Sequence, residues 1–506
     1  MPHDVPGIED CAREPIHLSG AIQPHGYLVS CDPSDWTIRH VSANAEDLFG
    51  MPAGSLPGQS LREHVADEIL RAVSETAGFL EPGATGQRVG AANLGVHGTL
   101  CDLSAHLADG LLHLEAEPLE RYRADDTPTA VAQAMIARLA SGDDDAFLES
   151  AAGQVRLLSG YDRVMVYRFR EDDAGEVIAE SLADGLEPYL GLRYPASDIP
   201  PQARALYLRN RIRVIPDASY APVPILPGTL ASGAPLDLGQ VALRSVSPVH
   251  LEYLRNMGVA ASMSISIVVG GRLWGLIACH HREPRRVPPA MRAALDLFGM
   301  FVSMRVTSLE QARAMAGQAR AERIREQLRL KLLGARDFHA ALAGQLEMLQ
   351  GALRCDGAAL WAGASWRTHG RVPDPREAPA LLAWLERARP VMPGVWATDD
   401  AADWHEGPLV DGSVAGVIGI DLGGGDDWLL LFRLEQQQDV CWAGEPAKAL
   451  VATDDGIRIA PRRSFATWRE LVRGRSLPWS EDDRRAAEQL HQLLHESRRS
   501  ALLLDA

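Results

Sequence analysis

Tyr194-Pro195-Ala196-Ser197-Asp198-Ile199-Pro200-Pro201-Gln202-Ala203-Arg204 is the stretch on which the fold and the function of this chain turn. Its prolines bound a turn, and Pro200-Pro201 lead into a helix that Asp198 could cap. Taken alone, an acid before Ile-Pro is a cap and nothing more. Its surroundings ask for more. The segment from Leu186 to Gly239 is rich in proline and glycine and too long to be a bland loop in a compact domain. Downstream stand Tyr207, Arg213, Arg244, Ser247, His250, Tyr253, Ser262, Ser264 and His280. Two arginines, several hydroxyls and two histidines suit a ligand with two carboxylates and a polar conjugated core. Guanidinium forks match carboxylates, and serines add donors. Singly, each of these residues reads as ordinary surface or core.

Outward from this stretch the chain reads as an α+β protein. Tyr27 to about Leu119 alternates short strands and turns; Trp36 to Val41 alternates, and the helical Asn44–Phe49 is closed by Gly50. Ala130 to Leu158 reads as one helix, and Arg163 to Phe169 as a buried strand. Ser262 to His280 predicts a hairpin, two apolar runs joined by Gly270-Gly271. Within it Ser262, Ser264 and Ser266 share one face, and Met263, Ile265 and Ile267 the other. A helix opens at Pro288-Pro289 and meets no further proline before about Leu333, with Leu297, Phe301, Met304, Ile324 and Leu328 as an apolar stripe. Val414–Ile420 and Trp428–Leu434, around Gly423-Gly424-Gly425, repeat the hairpin design. The excursion Gln436 to Arg469 is too polar and proline-rich for its own core, so it must lie on something else. Ser480 and Asp483 form a capping-box pattern, and Leu490, Leu494, Ser497, Ala501 and Leu504 have the spacing of a coiled-coil seam.

Composition excludes several classes. A chain of 506 residues is expected to fold as two to four domains. With 50 basic and 67 acidic residues the formal charge is −17, which disfavours nucleic acid or an anionic membrane as partner. No apolar run reaches the roughly 18 residues that span a bilayer, and Met1 to Asp10 lacks a basic signal-peptide start. Six cysteines lie far apart without a CxxC, as expected of a reduced, cytoplasmic protein without disulfides or a thiolate metal site. Cys279 beside His280 on a strand points to the opposite face and lacks further ligands.

Together the motifs resemble those of phytochromes. Pro195 to Pro200, the Ser247-Pro248-Val249-His250 turn, Tyr253 to Val259 and Leu273 to His281 are similar to the phytochrome GAF domain. Cys11-Ala12-Arg13-Glu14-Pro15-Ile16-His17 with Ala21 to Gly26 resembles the bacteriophytochrome N-terminus. Trp442-Ala443-Gly444 and Pro461-Arg462-Arg463-Ser464-Phe465 resemble the tongue of the PHY domain. The resemblance covers the whole chain. It implies a PAS domain with its N-terminal segment over 1–125, GAF over 126–305, and PHY over 306–506 with a tongue at about 436–470. It also implies a figure-of-eight knot near Ile22.

The resemblance further implies a red/far-red photoreceptor carrying biliverdin, a linear tetrapyrrole joined by a thioether to Cys11. Relatives that use reduced bilins place the attaching cysteine where this chain has Val249. Arg213, Arg244 and Tyr207 would hold one propionate; Ser262, Ser264 and His250 would serve the other, or a water. Asp198 would offer its backbone carbonyl to the pyrrole N–H groups and keep its carboxylate free, next to Ile199 and Pro200. His280 would bond the D-ring carbonyl, and Tyr167, Tyr253, Tyr194 and Met165 would shape the space in which that ring turns. Ser247 belongs to the same cavity. Trp442, Arg462 and Ser464 would carry the signal, with an Asp198–Arg462 ion pair fastening the tongue. The long helices would pair in a homodimer and pass the change to a fused output domain or a response regulator. Two other classes compete. A histidine kinase would use His495, but no nucleotide-binding segment follows. A GAF/PAS module could bind a ligand without photochemistry, and the colour of the protein separates the two.

Overall fold

The computed structural model describes residues 14–81, 83, 85–119, 127–140, 144–363, 365–388, 394–405, 412–423, 427–436, 438–444, 450–453, 456–459, 465 and 467–504. The chain divides into two compact units, residues 1–307 with 441–468, and residues 308–440 with 469–506.

The first unit holds two large sheets and a two-stranded one, Leu450–Thr453 with Gly456–Ile459. One has seven strands in the order β1-β11-β3-β2-β6-β5-β4: β1 Ala21–Ile22, β2 Tyr27–Cys31, β3 Ile38–Ser42, β4 Gln87–Leu94, β5 Thr99–Ala108, β6 Leu111–Pro118 and, from much later in the chain, β11 Val223–Leu226. The short helix α1, Ala45–Phe49, ends at Gly50 with φ 68°, the left-handed stop its glycine permits. Helix α2, Asp67–Ala77, turns Ile69, Leu70 and Val73 onto this sheet.

The second sheet has eight strands, running β10-β12-β13-β7-β8-β9 and then into two later ones, Gln438–Ala443 and Thr467–Val472. The others are β7 Arg163–Phe169, β8 Gly175–Leu182, β9 Arg193–Tyr194, β10 Ile212–Ile215, β12 Ala261–Val269 and β13 Arg272–His281. The β12–β13 hairpin turns at Gly270 and Gly271, with φ 57° and 76°, as a type I′ turn requires. Met263, Ile265 and Ile267 are fully buried on one face. Ser262 and Ser264 stand on the other, opposite His280 and Ala278.

The stretch read as one helix, Ala130–Leu158, is two: α3 Pro128–Ala140 and α4 Phe147–Ser159. The sequence between them, Gly142 followed by three aspartates, explains the break, since both residue types favour turns over helix interiors.

The proline-rich region folds into short pieces: a 3-10 turn at Ala196–Asp198, α5 Pro201–Arg209 with proline in its first turn, β10 and β11, and then α6 Pro248–Asn256. The N-terminal segment lies against one loop of this region on both sides. Ala21 and Ile22 pair with Pro224 and Val223. On the other side Gln23 N–H donates to the Leu243 carbonyl at 2.7 Å and Ser245 N–H to the Ala21 carbonyl at 2.9 Å. Ile22 between them is fully buried.

Helix α7 runs unbroken from Pro289 to Leu332, about 66 Å at 1.5 Å per residue. The second unit carries α8 Phe338–Ala343, α9 Leu346–Ala352, α10 Ala378–Ala388 and a five-stranded antiparallel sheet, β15-β14-β18-β17-β16. Its strands are β14 Gly357–Ala362, β15 Ser365–Gly370, β16 Val395–Thr398, β17 Val414–Asp421 and β18 Trp428–Leu434. Helix α11, Glu481–Leu504, begins with a reciprocal capping box. Ser480 N–H donates to the Asp483 carboxylate at 3.0 Å, and Asp483 N–H to Ser480 Oγ at 3.1 Å. The coiled-coil seam expected on α11 is used differently. Leu490, Leu494 and Ala501 are buried with Leu328, Leu332, Leu342 and Leu346 in the core of this unit. One face of the sheet needs a helical cover, and the seam supplies it.

Candidate functional site

Two adjoining cavities lie in the first unit, and Asp198, Ile199, Tyr207, His250 and Tyr253 line both. Pro200, Arg213, Arg244, Ser247 and Val249 line only the first, together with Glu14 and Ile16. Met165, Tyr167, Tyr194, Ser262, Ser264 and His280 line only the second. Residues scattered from 165 to 280 therefore meet around one space. The route is legible locally: β7, β12 and β13 supply a floor of alternate residues, while α5 and α6 supply the walls. Cys11, Arg462 and Ser464 lie outside the described residues.

The arginine end is held by backbone. Arg213 donates to the Ala242 carbonyl at 2.7 Å and, with its other terminal nitrogen, to the Arg244 carbonyl. Arg244 donates to the Ile16 carbonyl at 2.7 Å, and its Nε is buried without a hydrogen-bond partner among the described residues. The two are only 8% and 6% exposed, and neither makes a salt bridge to a carboxylate among the described residues. Burial pulls the Arg244 guanidinium down to about 9, with the neighbouring Arg213 charge adding to the effect; burial lowers Arg213 too. Two buried cations without a salt-bridge partner are costly unless an anion arrives.

The opposite end is aromatic and neutral. Burial first, and then the charges of Arg163 and His250, push His280 down to about 3. Burial, helped by Arg213, pushes His250 down to about 4. His280 Nδ1 and the Tyr194 hydroxyl are buried and without a hydrogen-bond partner among the described residues. Tyr167 and Tyr194 rings stand 5.7 Å apart, and Met165 is 3% exposed beside them. Cys279 is fully buried on the far face of β13, and burial raises its thiol, so it is a core residue.

One expectation is corrected. The Asp198 carboxylate does not stand free: it accepts the Tyr253 hydroxyl at 3.1 Å. The turn at 196–198 brings its side chain within reach of the Tyr253 hydroxyl on α6. Ser247 Oγ donates to Glu14 at 2.9 Å, and both residues line the first cavity.

Several contributors had no signal of their own. Gln23 donates to the Val214 carbonyl at 3.0 Å, and the Tyr220 hydroxyl bonds Ser245 and receives the Val246 N–H. Each acts through tertiary contact alone. The tongue does reach this unit. Trp442 bridges Arg193 in parallel, Ala443 is fully buried with Tyr167 and Tyr194, and the Phe465 ring meets Tyr253 edge-on at 5.2 Å.

Family models match in order: a PAS fold over residues 11–119, a GAF domain over 143–306 and a phytochrome region over 321–501. A bacteriophytochrome of Pseudomonas aeruginosa is 40% identical, over 96% of this chain and 66% of its own length. One of Xanthomonas campestris is 36% identical, over 94% of this chain and 76% of its own. The crystal structure of a bacteriophytochrome from the photosynthetic bacterium R. palustris superposes with a TM-score of 0.82 at 35% identity, covering 97% of this chain and 99% of that one. The chain spans about two thirds of the length of the first curated relatives it matches. Sheets, cavity and matches define a photosensory module of PAS, GAF and PHY domains. The chain belongs to the bacteriophytochrome family.

Members of this family carry a linear tetrapyrrole, and the residues present fit one. Neither buried arginine makes a salt bridge among the described residues, and the His280 nitrogen and the Tyr194 hydroxyl find no hydrogen-bond partner there. A long acid with a polar conjugated core answers both. Among the described residues no helix is long and apolar enough to cross a membrane.

Proposed function

We propose that this chain is the light-sensing part of a red/far-red photoreceptor and that it holds biliverdin through a thioether to Cys11. The observation that carries the reading is the pair of joined cavities, with two buried arginines at one end and the neutral, unpartnered His280 at the other. Bound there, the tetrapyrrole supplies red-light absorption and a methine double bond that isomerises.

The protein's part is positional. Arg213 and Arg244, with Tyr207, hold one carboxylate side chain by charge-assisted hydrogen bonds. Ser262, Ser264 and His250 serve the other side. The Asp198 carbonyl accepts from the ring nitrogens. His280, kept neutral by burial, would hydrogen-bond the outer ring and release it when that ring turns. Tyr167, Tyr194 and Met165 bound the space available to the turn. Val249 lines the cavity where a cysteine would serve reduced bilins, which favours biliverdin. Glu14 and Ile16 line the same cavity and lead back to Cys11.

Signal leaves through the tongue, where Trp442 and Phe465 touch β9 and Tyr253 and where Arg462 and Ser464 belong to the same segment. The N-terminal segment, bonded on both sides near Ile22, supports a threaded knot. Leu297, Met300 and Met304 lie exposed along the first half of α7, which supports a homodimer built on that face. A fused output domain, such as a histidine kinase, or a separate response regulator then reads the change.

The test is direct. Expressed with haem oxygenase, the protein should be green and should change its absorbance spectrum reversibly under red and far-red light. Colourless or haem-red protein would overturn the reading.

A further inference from the structure

Glu115 lies on β6 of the seven-stranded sheet, outside the domain that forms the cavity, and is 3% exposed. Its oxygens accept N–H bonds from two consecutive loop residues, Ala242 at 3.1 Å and Leu243 at 2.8 Å. The same loop holds Arg213. The Ala242 carbonyl accepts from one end of its guanidinium, and the Arg244 carbonyl from the other. Ala242 thus gives its N–H to Glu115 and its carbonyl to Arg213. On the other side, the Leu243 carbonyl is taken by Gln23 N–H at 2.7 Å. The loop cannot shift without breaking charge-assisted bonds at Glu115.

We propose that Glu115 is a positioning residue for carboxylate recognition: by gripping the Ala242–Leu243 backbone it fixes the two carbonyls that aim Arg213 into the cavity. The inference rests on the reading of Arg213 and Arg244 as a carboxylate-binding pair. A guanidinium whose partners wander loses the alignment that makes a forked carboxylate contact strong.

The grip responds to protons. Burial pushes the Glu115 carboxyl up to about 7, against the two N–H bonds that favour its ionised form. Facing it are His106 from β5, 3.8 Å away, Glu117 on its own strand, Arg292 from α7 and Arg213 from β10; β2 brings only Leu28 opposite. Ionised Glu115 accepts both N–H bonds, and a protonated one accepts them less well, so the loop should loosen as pH falls through about 7.

The experiment compares wild type, Glu115→Gln and Glu115→Asp in uptake of biliverdin and of biliverdin dimethyl ester, which lacks both carboxylates. Amide exchange at Ala242 and Leu243 is followed in the apoprotein. Glu115→Gln should lose about tenfold in uptake rate for the acid, with little change for the ester, a loss of the size one hydrogen bond to a charge confers. Exchange at the two amides should rise by a similar factor, and in wild type it should rise beyond the intrinsic trend below pH 7. Glu115→Asp keeps the charge and should restore part of the acid preference. Equal losses for acid and ester, or unchanged exchange in Glu115→Gln, would overturn the proposal. If wild type takes up acid and ester alike, the carboxylate pair itself is wrong and this role falls with it. If only the variants lose the preference, the pair stands and Glu115 is its support.

Discussion

The Tyr253 hydroxyl donates to the Asp198 carboxylate at 3.1 Å and so ties helix α6 to the turn before Pro200. Both residues line both cavities, and the Phe465 ring of the tongue rests edge-on against Tyr253. A motion of Asp198 is therefore a motion that the tongue can feel. Tyr253→Phe keeps the ring and removes the donor. Because both side chains are half-buried, the stability lost should be no more than about 1 kcal/mol. The yield or lifetime of the light state should nonetheless change. Flash photolysis of the variant with wild-type yield and decay would remove this bond from the switch.

Cys11→Ser should abolish covalent attachment and leave the cavity intact; Cys441 is half-buried against the cluster of Met165, Tyr167 and Tyr194 and is the alternative the test must exclude, whereas Cys31, Cys101, Cys279 and Cys355 are all buried. Burial also raises their thiols, leaving little thiolate to react. Zinc-induced fluorescence on a denaturing gel should be bright for wild type and dark for the variant. A bright variant would move the attachment elsewhere.

Gly175 begins β8 directly beneath the Tyr167 ring, and a Cβ there would fall onto the ring's Cζ and hydroxyl. Gly175→Ala should displace Tyr167, cost about 1–3 kcal/mol as overpacking does, and shift the holoprotein's red absorbance band. Gly153→Ala is the control. It sits within α4, where an added Cβ meets nothing within 4 Å, and should stabilise by about 0.5–1 kcal/mol. Thermal melts and spectra of the two should differ in sign and in colour respectively.

Acid should destabilise the apoprotein. Burial holds His250, His25 and His113 at about 4, and His280 and His106 at about 3. Each is below the unfolded value of about 6.5, so the unfolded chain binds more protons as pH falls below that point. Each histidine then loses up to about 1.4 kcal/mol per pH unit between 6.5 and its folded value. Glu115, raised to about 7, works the other way over the same window; it is one group against five. Melting temperature should therefore fall steadily from pH 6.5 to 5, and a flat profile would contradict the neutral burial of these rings.

The exposed Leu297, Met300 and Met304 of α7 predict the dimer face. Met304→Arg with Leu297→Asp should give a monomer by light scattering at micromolar concentration while leaving photoconversion intact. A persistent dimer would place the interface elsewhere.

Where the chain's periodicity is local, the sequence was enough. The β12–β13 hairpin, the capping box at Ser480 and Asp483, and the strand Arg163–Phe169 follow from alternation, a Gly-Gly turn and reciprocal caps. The motif residues from Asp198 to His280 were also legible as a set. The single helix over Ala130–Leu158 was not, because a short interruption by glycine and aspartates outweighs good flanking helix formers. The seam at Leu490 and Leu494 had a correct period and a wrong partner. Period reports that a face is apolar, and only packing decides whether that face meets its own sheet or a second chain.

Sequence by itself determined most of the elements, the family and the types of side chain that line the cavities, since these rest on short-range pattern and residue chemistry. Tertiary structure alone decided which of them touch. The Tyr253–Asp198 bond spans 55 residues, Arg213 to the Arg244 carbonyl 31, and Glu115 to Leu243 128. No local propensity encodes those pairings. They exist because buried polar groups must find partners, and the fold sets which partners lie within reach.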